Sequence, residues 1–347
     1  MRFNSQLQRQ WSQAALLACF FRAARKIYGV RRIWPYKSRN GEDRNGEEDV
    51  SVAADPRPDF LCIGAQKAGT SWLYRQLTEH PDFWMPPVKE LHYFNLLGRG
   101  PSVASARARD HRDRRFLEAI KRLSARSHLD LEDYAGLFAV KGDLLSGDIT
   151  PAYSMLNDEV IERIVSHFPN LKVIFLARDP VERAWSQLSM GVRLRNISPF
   201  NATDAEDVMH NLLDPGVLLR SHPSKIVARW KRYVRPEFFR VYFFDDLEKN
   251  PAELRRSILV FLGADPNKPS GRLKADDNSD VRKDKLRLTA KVRDRMARFF
   301  EQELKTCAAE LGGPAKNWPA RYGFSLLWFI WQFADDLDLF CWLDWIA

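Results

Sequence analysis

The feature that most constrains this chain is the run from Asp59 to Glu79, DFLCIGAQKAGTSWLYRQLTE. Its opening residues, Asp59 to Gly64, are a short apolar run that reads as a buried strand. From about Thr70 to Glu79 the pattern is helical, closed by His80-Pro81. Gly64 and Gly69 bracket Lys67 in the loop between. A helix starting there aims unpaired N–H groups and partial positive charge at the loop, which makes a seat for phosphate. The two glycines allow tight turns and a close approach of backbone to an anion. Gln66 and Ala68 flank the lysine, and Thr70 and Ser71 add hydroxyl donors. The glycine spacing is that of the nucleotide triphosphatase loop, G-x-x-x-x-G-K-[ST]. Here, however, the lysine is inside the loop and Thr70 directly follows the second glycine. In the triphosphatase motif the lysine reaches the β- and γ-phosphates and the hydroxyl binds magnesium. A lysine displaced into the loop suits a ligand with one 5′-phosphate and one further anionic group, with no required metal. On this segment alone, an ordinary glycine-containing turn stays open.

Further strands set the fold class. Leu171 to Ala177 is a second buried run, followed by a helix from about Val181 to Arg195. Phe239 to Phe244 is a third, with helices near 223–234 and 251–262 on either side. A long basic helix covers about 286–311. Strands alternating with helices predict an α/β fold: a P-loop-like central parallel sheet flanked by helices, as a single catalytic domain. Residues 100–130, rich in Arg and Asp with few large apolar residues, predict an exposed helical insertion. Polar residues 38–58 read as a linker. The expected organisation is a basic N-terminal segment and linker over 1–57, the catalytic domain over 58–312, and an aromatic-rich extension over 313–347.

Composition narrows the partners. The formal net charge of +9 favours anionic ligands without choosing among them. The basic residues are spread along the chain, not gathered with interleaved aromatics, so no nucleic-acid partner is expected. The four cysteines, Cys19, Cys62, Cys307 and Cys341, lie far apart with no metal-ligand spacing, which fits a reducing compartment. No apolar stretch is long enough to span a bilayer. The run Ala14 to Phe21 is followed by Arg22, Arg25 and Lys26, which argues against a signal peptide. The expectation is a cytoplasmic protein. The basic amphipathic pattern of residues 1–40 and the Trp-rich residues after Phe324 leave peripheral membrane contact open.

A second motif is Val173-Ile174-Phe175-Leu176-Ala177-Arg178-Asp179-Pro180, continued by Glu182-Arg183-Ala184-Trp185-Ser186. Arg178 leaves the carboxyl edge of a strand, and Ser186 lies on the following helix. Both can converge on one phosphate, the arginine in bidentate fashion. Strand ends at this edge are where α/β sheets bind ligands. A structural Arg178–Asp179 ion pair is the plainer alternative. Taken together, the loop at 63–72 and the segment at 173–186 resemble the 5′-phosphosulfate loop and the 3′-phosphate motif of PAPS-dependent sulfotransferases (PAPS is 3′-phosphoadenosine 5′-phosphosulfate). The resemblance spans roughly residues 58–312. It implies a PAPS site built from Gln66, Lys67, Ala68, Gly69, Thr70, Ser71, Arg178 and Ser186, with a late basic run, Arg282 and Lys283 before Lys285 and Arg287, closing over the 3′-phosphate.

Glu90-Leu91-His92-Tyr93-Phe94 looks like the E-x-x-F-F stretch of the branch acting on heparan sulfate and related glycans. Gly147-Asp148-Ile149-Thr150-Pro151-Ala152-Tyr153 resembles that branch's next motif. Ile149 stands where glycan enzymes often carry lysine, and residues 263–285 lack the cysteine pair of the Golgi enzymes, so the chain is similar to the wider, largely bacterial set. The resemblance implies in-line transfer of SO₃ to a hydroxyl or amine of a small-molecule or glycan acceptor, a carbohydrate or glycolipid foremost. Lys67 would neutralise charge on the sulfonate and bridging oxygen. Glu90 would be the general base, with His92 as the alternative base. Asp148 would orient the acceptor or Lys67; a helix-capping aspartate is its bland reading. The competing functions are a magnesium-dependent kinase or triphosphatase and a non-catalytic anion-binding module.

Overall fold

Four parallel strands form one sheet: β1 (Phe60–Gly64), β2 (Gly147–Ile149), β3 (Lys172–Ala177) and β4 (Phe239–Phe243), in the order β2-β1-β3-β4. The computed structural model describes residues 56–96, 106–123, 128–269, 271, 273–277 and 285–324. They fall within one compact unit that begins at Pro56. The central strands explain the apolar runs of the sequence: every residue of β1 and all but the first of β3 are buried. That continuous pattern belongs to parallel strands covered on both faces. β4 is an edge strand in which only Phe239 and Phe243 are buried.

The helices among the described residues are α1 (Thr70–Thr78), α2 (His111–Leu123), α3 (Leu131–Gly136), α4 (Asp158–His167), α5 (Pro180–Arg193), α6 (Ala205–Leu212), α7 (Pro215–Leu218), α8 (Pro223–Lys231), α9 (Phe244–Lys249), α10 (Pro251–Leu262) and α11 (Ala290–Glu310). Side-chain caps set several starts: Asn157, Asp204, Asn250 and Thr289 each accept from first-turn amides. Thr289 is why α11 begins later than the expected 286. α11 packs against α5, α6 and α8.

Two expectations are corrected. The region around α2 is not an exposed insertion. Phe116 and Ile120, four residues apart on one helix face, are fully buried. Asp113 is buried with them; it accepts from Arg109 Nε at 2.7 Å and Trp84 Nε1 at 3.1 Å. Pairing conceals a charge that composition counts as surface. Nor does the packed body end at residue 312. Trp318 is fully buried, and its ring lies 6.0 Å from that of Phe243. The basic N-terminal pattern, the early apolar run, the linker and the Trp-rich stretch after Phe324 lie outside the described residues, apart from the linker's last three, 56–58.

Candidate active site

β1 does not run straight into α1. Its pairing with β3 is regular as far as Cys62–Ile174, then shifts so that Gly64 faces Phe175. The Ala65 amide donates to Leu176 O at 2.8 Å, which carries the loop across the end of β3. Gly69 is the N-cap of α1, with φ 92° and no side-chain cap. A Cβ there would push on the Leu247 side-chain tip, 2.6 Å away, but it is the left-handed backbone that demands glycine. The first turn of α1 therefore starts behind a residue that offers its amides no side chain. Ala68 and Thr70 are buried; Gln66, Lys67 and Ser71 are half-buried at the loop surface. Lys67 has φ 73°, and its Nζ lies 3.7 Å from Met190 Sδ on α5.

Arg178 follows β3 directly. Its Nη1 donates to Lys67 O at 2.7 Å, which joins the two sequence motifs by one hydrogen bond. The guanidinium stacks on Phe244, 4.1 Å from the ring centroid, and lies 3.8 Å from Glu182. Its Nε is buried with no hydrogen-bond partner. Burial pushes the Arg178 guanidinium below its ordinary pKa. The alternative Arg178–Asp179 ion pair does not form. Asp179 instead caps α5, accepting from Val181 N at 2.9 Å, and also accepts from Tyr322 Oη at 3.0 Å. Burial raises its carboxyl to about 6. Ser186 is half-buried on α5. Arg282 and Lys283 lie outside the described residues, while Lys285 and Arg287 are exposed.

Two further arginines, neither expected from sequence, enlarge the basic cluster. Arg220 Nη1 donates to Gln66 Oε1 at 3.1 Å, and its Nε is buried with no partner. Arg183 is fully buried and donates to Ser221 Oγ, Val217 O and Gln187 Oε1 at 2.6–2.8 Å, neutral acceptors all. Burial first, then repulsion from Arg220 and Arg178, lowers its guanidinium to about 9. The only signal in the sequence was the apolar spacing of Val181, Ala184 and Leu188 around Arg183, residues the fold buries. Arg178 and Arg220 thus lie near enough to Arg183 to repel it, with Glu182, Glu248 and Asp179 as counter-charges to Arg178. Such a cluster is costly unless an anion completes it. Two vacant buried Nε donors, an open helix N-terminus and an interior lysine fit a nucleotide carrying two separated anionic groups.

Glu90 and His92 are paired. Glu90 Oε2 lies 3.5 Å from His92 Nε2, Glu90 Oε1 accepts from Lys89 Nζ, and His92 Nδ1 lies 3.2 Å from Asn95 Oδ1. Burial would raise the Glu90 carboxyl, but the contacts with His92 and Lys89 outweigh it and hold the group at about 2. The same pairing raises the His92 imidazole above its ordinary value. Among the described residues, four non-glycine positions have positive φ: Lys67, Glu90, His92 and Arg195. Three of the four are expected site residues, and such backbone concentrates at functional sites.

Asp148 is not the helix-capping aspartate of the plainer sequence reading. It is fully buried on β2, where it meets the backbone of the 90–92 loop at Leu91. It accepts from Thr150 Oγ1 and Tyr153 Oη, each at 2.6 Å, from Tyr134 Oη at 3.3 Å and from Leu91 N at 3.5 Å. It caps no helix. Burial raises its carboxyl above the ordinary value. Its part is to anchor the loop that carries Glu90 and His92.

A parallel sheet with a glycine-bracketed loop after β1 and a guanidinium at the tip of β3 is an architecture that nucleotide-dependent group transferases share. The sequence profile of the sulfotransferase family matches residues 58–267, and the chain belongs to that family. PAPS-dependent sulfuryl transfer is the family's chemistry. The membrane-associated sulfotransferase kil1 of Dictyostelium discoideum is 30% identical over 185 residues, 52% of this chain and 34% of that protein. The match thus covers about a third of that relative's length. The crystal structure of a sulfotransferase from Alicyclobacillus acidocaldarius superposes with a TM-score of 0.53 at 23% identity, covering 76% of this chain and 98% of that one; it shares the fold. Mouse sulfotransferase SULT7A1 complexed with PAP is a more distant likeness: TM-score 0.44, 16% identity, 77% and 91% coverage.

Proposed function

We propose that this chain transfers the sulfuryl group of PAPS to a hydroxyl or amine of an acceptor of the carbohydrate or glycolipid class. The observation that carries this reading is the 2.7 Å bond from Arg178 to the Lys67 carbonyl. It supports reading the two motifs as parts of one site at the carboxyl ends of β1 and β3. The first-turn amides of α1, with Thr70 and Ser71, would receive the 5′-phosphosulfate. Arg178, with Ser186, would hold the 3′-phosphate, its free Nε offering the second prong of a bidentate contact. Lys67 would stabilise the charge that grows on the bridging oxygen as the S–O bond to phosphate breaks and the bond from acceptor to sulfur forms. Its place inside the loop supports donor binding without magnesium.

Glu90 would take the acceptor's proton. A carboxyl held at about 2 is ionised throughout the neutral range, so it is always ready but weakly basic. The Glu90–His92 contact favours a second reading, in which His92 is the base and Glu90 orients it. The two readings separate by pH. His92 keeps its proton until pH rises through its raised pKa, so an imidazole base predicts activity climbing above about pH 6.5. His92→Asn would then abolish that limb, whereas a Glu90 base leaves the limb absent in wild type and makes Glu90→Gln the more damaging change.

A cytoplasmic enzyme working at a membrane surface fits the membrane-associated relative. Among the described residues no helix is long and apolar enough to cross a membrane. The minimal catalytic unit would begin near residue 58, and the packing of Trp318 on Phe243 supports carrying it past residue 312. Titration calorimetry with PAP and ATP, with and without magnesium, tests the donor reading. PAP should bind without magnesium and ATP much more weakly. Equal affinities, or magnesium-dependent ATP turnover, would point to the kinase class instead.

A further inference from the structure

The segment after α11 runs through two 3₁₀ turns, Gly313–Asn317 and Pro319–Tyr322. It lies beyond the residues matched by the family profile and carries no donor-site motif. It nonetheless meets the neighbours of Arg178 from both adjoining strands. β3 and β4 end level, with Ala177 paired to Phe243. The next residue on each makes the stacked pair, Arg178 on Phe244. The residue after that on each is a buried aspartate: Asp179, 1% exposed, and Asp245, 6% exposed.

Residues 318–322 bind both aspartates. Trp318 Nε1 donates to Asp245 Oδ2 at 3.2 Å, and Tyr322 Oη donates to Asp179 Oδ2 at 3.0 Å. Arg321 pairs with both carboxylates: Nη1 lies 3.5 Å from Asp179, and Nη2 bonds Asp245 Oδ1. From α11, Arg293 Nη2 donates to Arg321 O at 2.7 Å and lies over the Tyr322 ring, 5.1 Å from its centroid. Gly313 passes so near Phe243 that an added Cβ would be 3.0 Å from the ring.

We infer that residues 313–322 are a brace, and that Arg321 and Tyr322 are positioning residues that fix the Arg178 guanidinium, through Asp179 and Phe244, at the angle required to hold the donor's 3′-phosphate. The brace rests on the reading of the β3 tip as the donor site. Its physical basis is directional. A bidentate arginine–phosphate contact depends on the orientation of a planar group at the end of a flexible side chain. A scaffold that orders this group beforehand spares that ordering on binding.

A double-mutant cycle on the full chain tests it, with PAP as the calorimetric probe and PAPS as the kinetic one. Arg321→Met should weaken PAP roughly tenfold and Tyr322→Phe by about threefold, with KM for PAPS following and kcat changing less than about twofold. In an Arg178→Ala background the same changes should have no further effect on PAP affinity. Brace variants that lower the melting temperature but leave PAP affinity intact overturn the inference. So do variants that weaken PAP equally with and without Arg178. Should Arg321→Met fail to fold, Tyr322→Phe, which removes one oxygen, runs the cycle alone. A wild-type chain that binds no PAP overturns the donor reading and the brace with it, whereas PAP binding indifferent to the brace overturns the brace alone.

Discussion

The two strand–helix junctions at the site are built from the same parts and finished in opposite ways. After β3, Asp179 turns its carboxylate onto the first amides of α5, and Pro180 removes one amide altogether. After β1, the N-cap of α1 is Gly69, which offers nothing, and the preceding turn presents Lys67. One helix end is closed by the protein's own side chain and the other has no side-chain cap, as the proposed donor site requires. The arginine between them belongs to the closed junction by sequence and bonds the open one. A helix terminus thus reads as an anion site when its own cap is withheld, not merely because a dipole ends there.

Four substitutions test that contrast, in order of expected size. Lys67→Ala should lower kcat by roughly 10²–10³, since it removes charge stabilisation at the leaving oxygen, measured with radiolabelled donor and extract acceptors. A near wild-type rate would break the contrast at its open end. Gly69→Ala forces a side chain into φ 92° and against Leu247, so thermal unfolding should show a loss of about 1–3 kcal/mol together with weaker PAP binding. Arg178→Lys keeps the charge but loses the planar fork; PAP affinity should fall roughly tenfold. Asp179→Asn preserves the cap, so stability at pH 7 should move by less than about 1 kcal/mol. Its signature is in pH. The Asp179 carboxyl is raised in the fold from 3.8 to about 6, so the stability it contributes is present below pH 4 and lost as pH rises through 6. The variant should flatten that decline in melting temperature, and an unchanged curve would remove Asp179 as its source.

The buried strands and the helix over Pro251–Leu262 were legible because continuous apolar runs and an Asn-Pro start leave few alternatives. β2 was not legible as a strand: three residues with Asp148 in the middle carry no apolar signal. Lys67 and Arg178 could be singled out because loop spacing and motif order concern local chain geometry; Glu90 and His92 were named only through resemblance to a family motif, and their pairing is seen only in the fold. The role of Asp148 could not, because its partners Tyr134, Thr150 and Tyr153 come together only in the fold. Arg220 and Tyr322 escaped for the same reason; each acts on a residue more than a hundred positions away. Local chemistry is written along the chain, whereas long-range hydrogen bonds between ordinary residues leave no periodic mark.

The left-handed backbone at Lys67, Glu90 and His92 has an evolutionary corollary. Glycine would sit more comfortably at all three places, so a lineage screened only for heat resistance would find easy gains there. On the proposed mechanism it would shed its chemistry before it touched a single core residue. That these positions hold an ammonium, a carboxylate and an imidazole means the molecule tolerates a discomfort that its architecture never asked for.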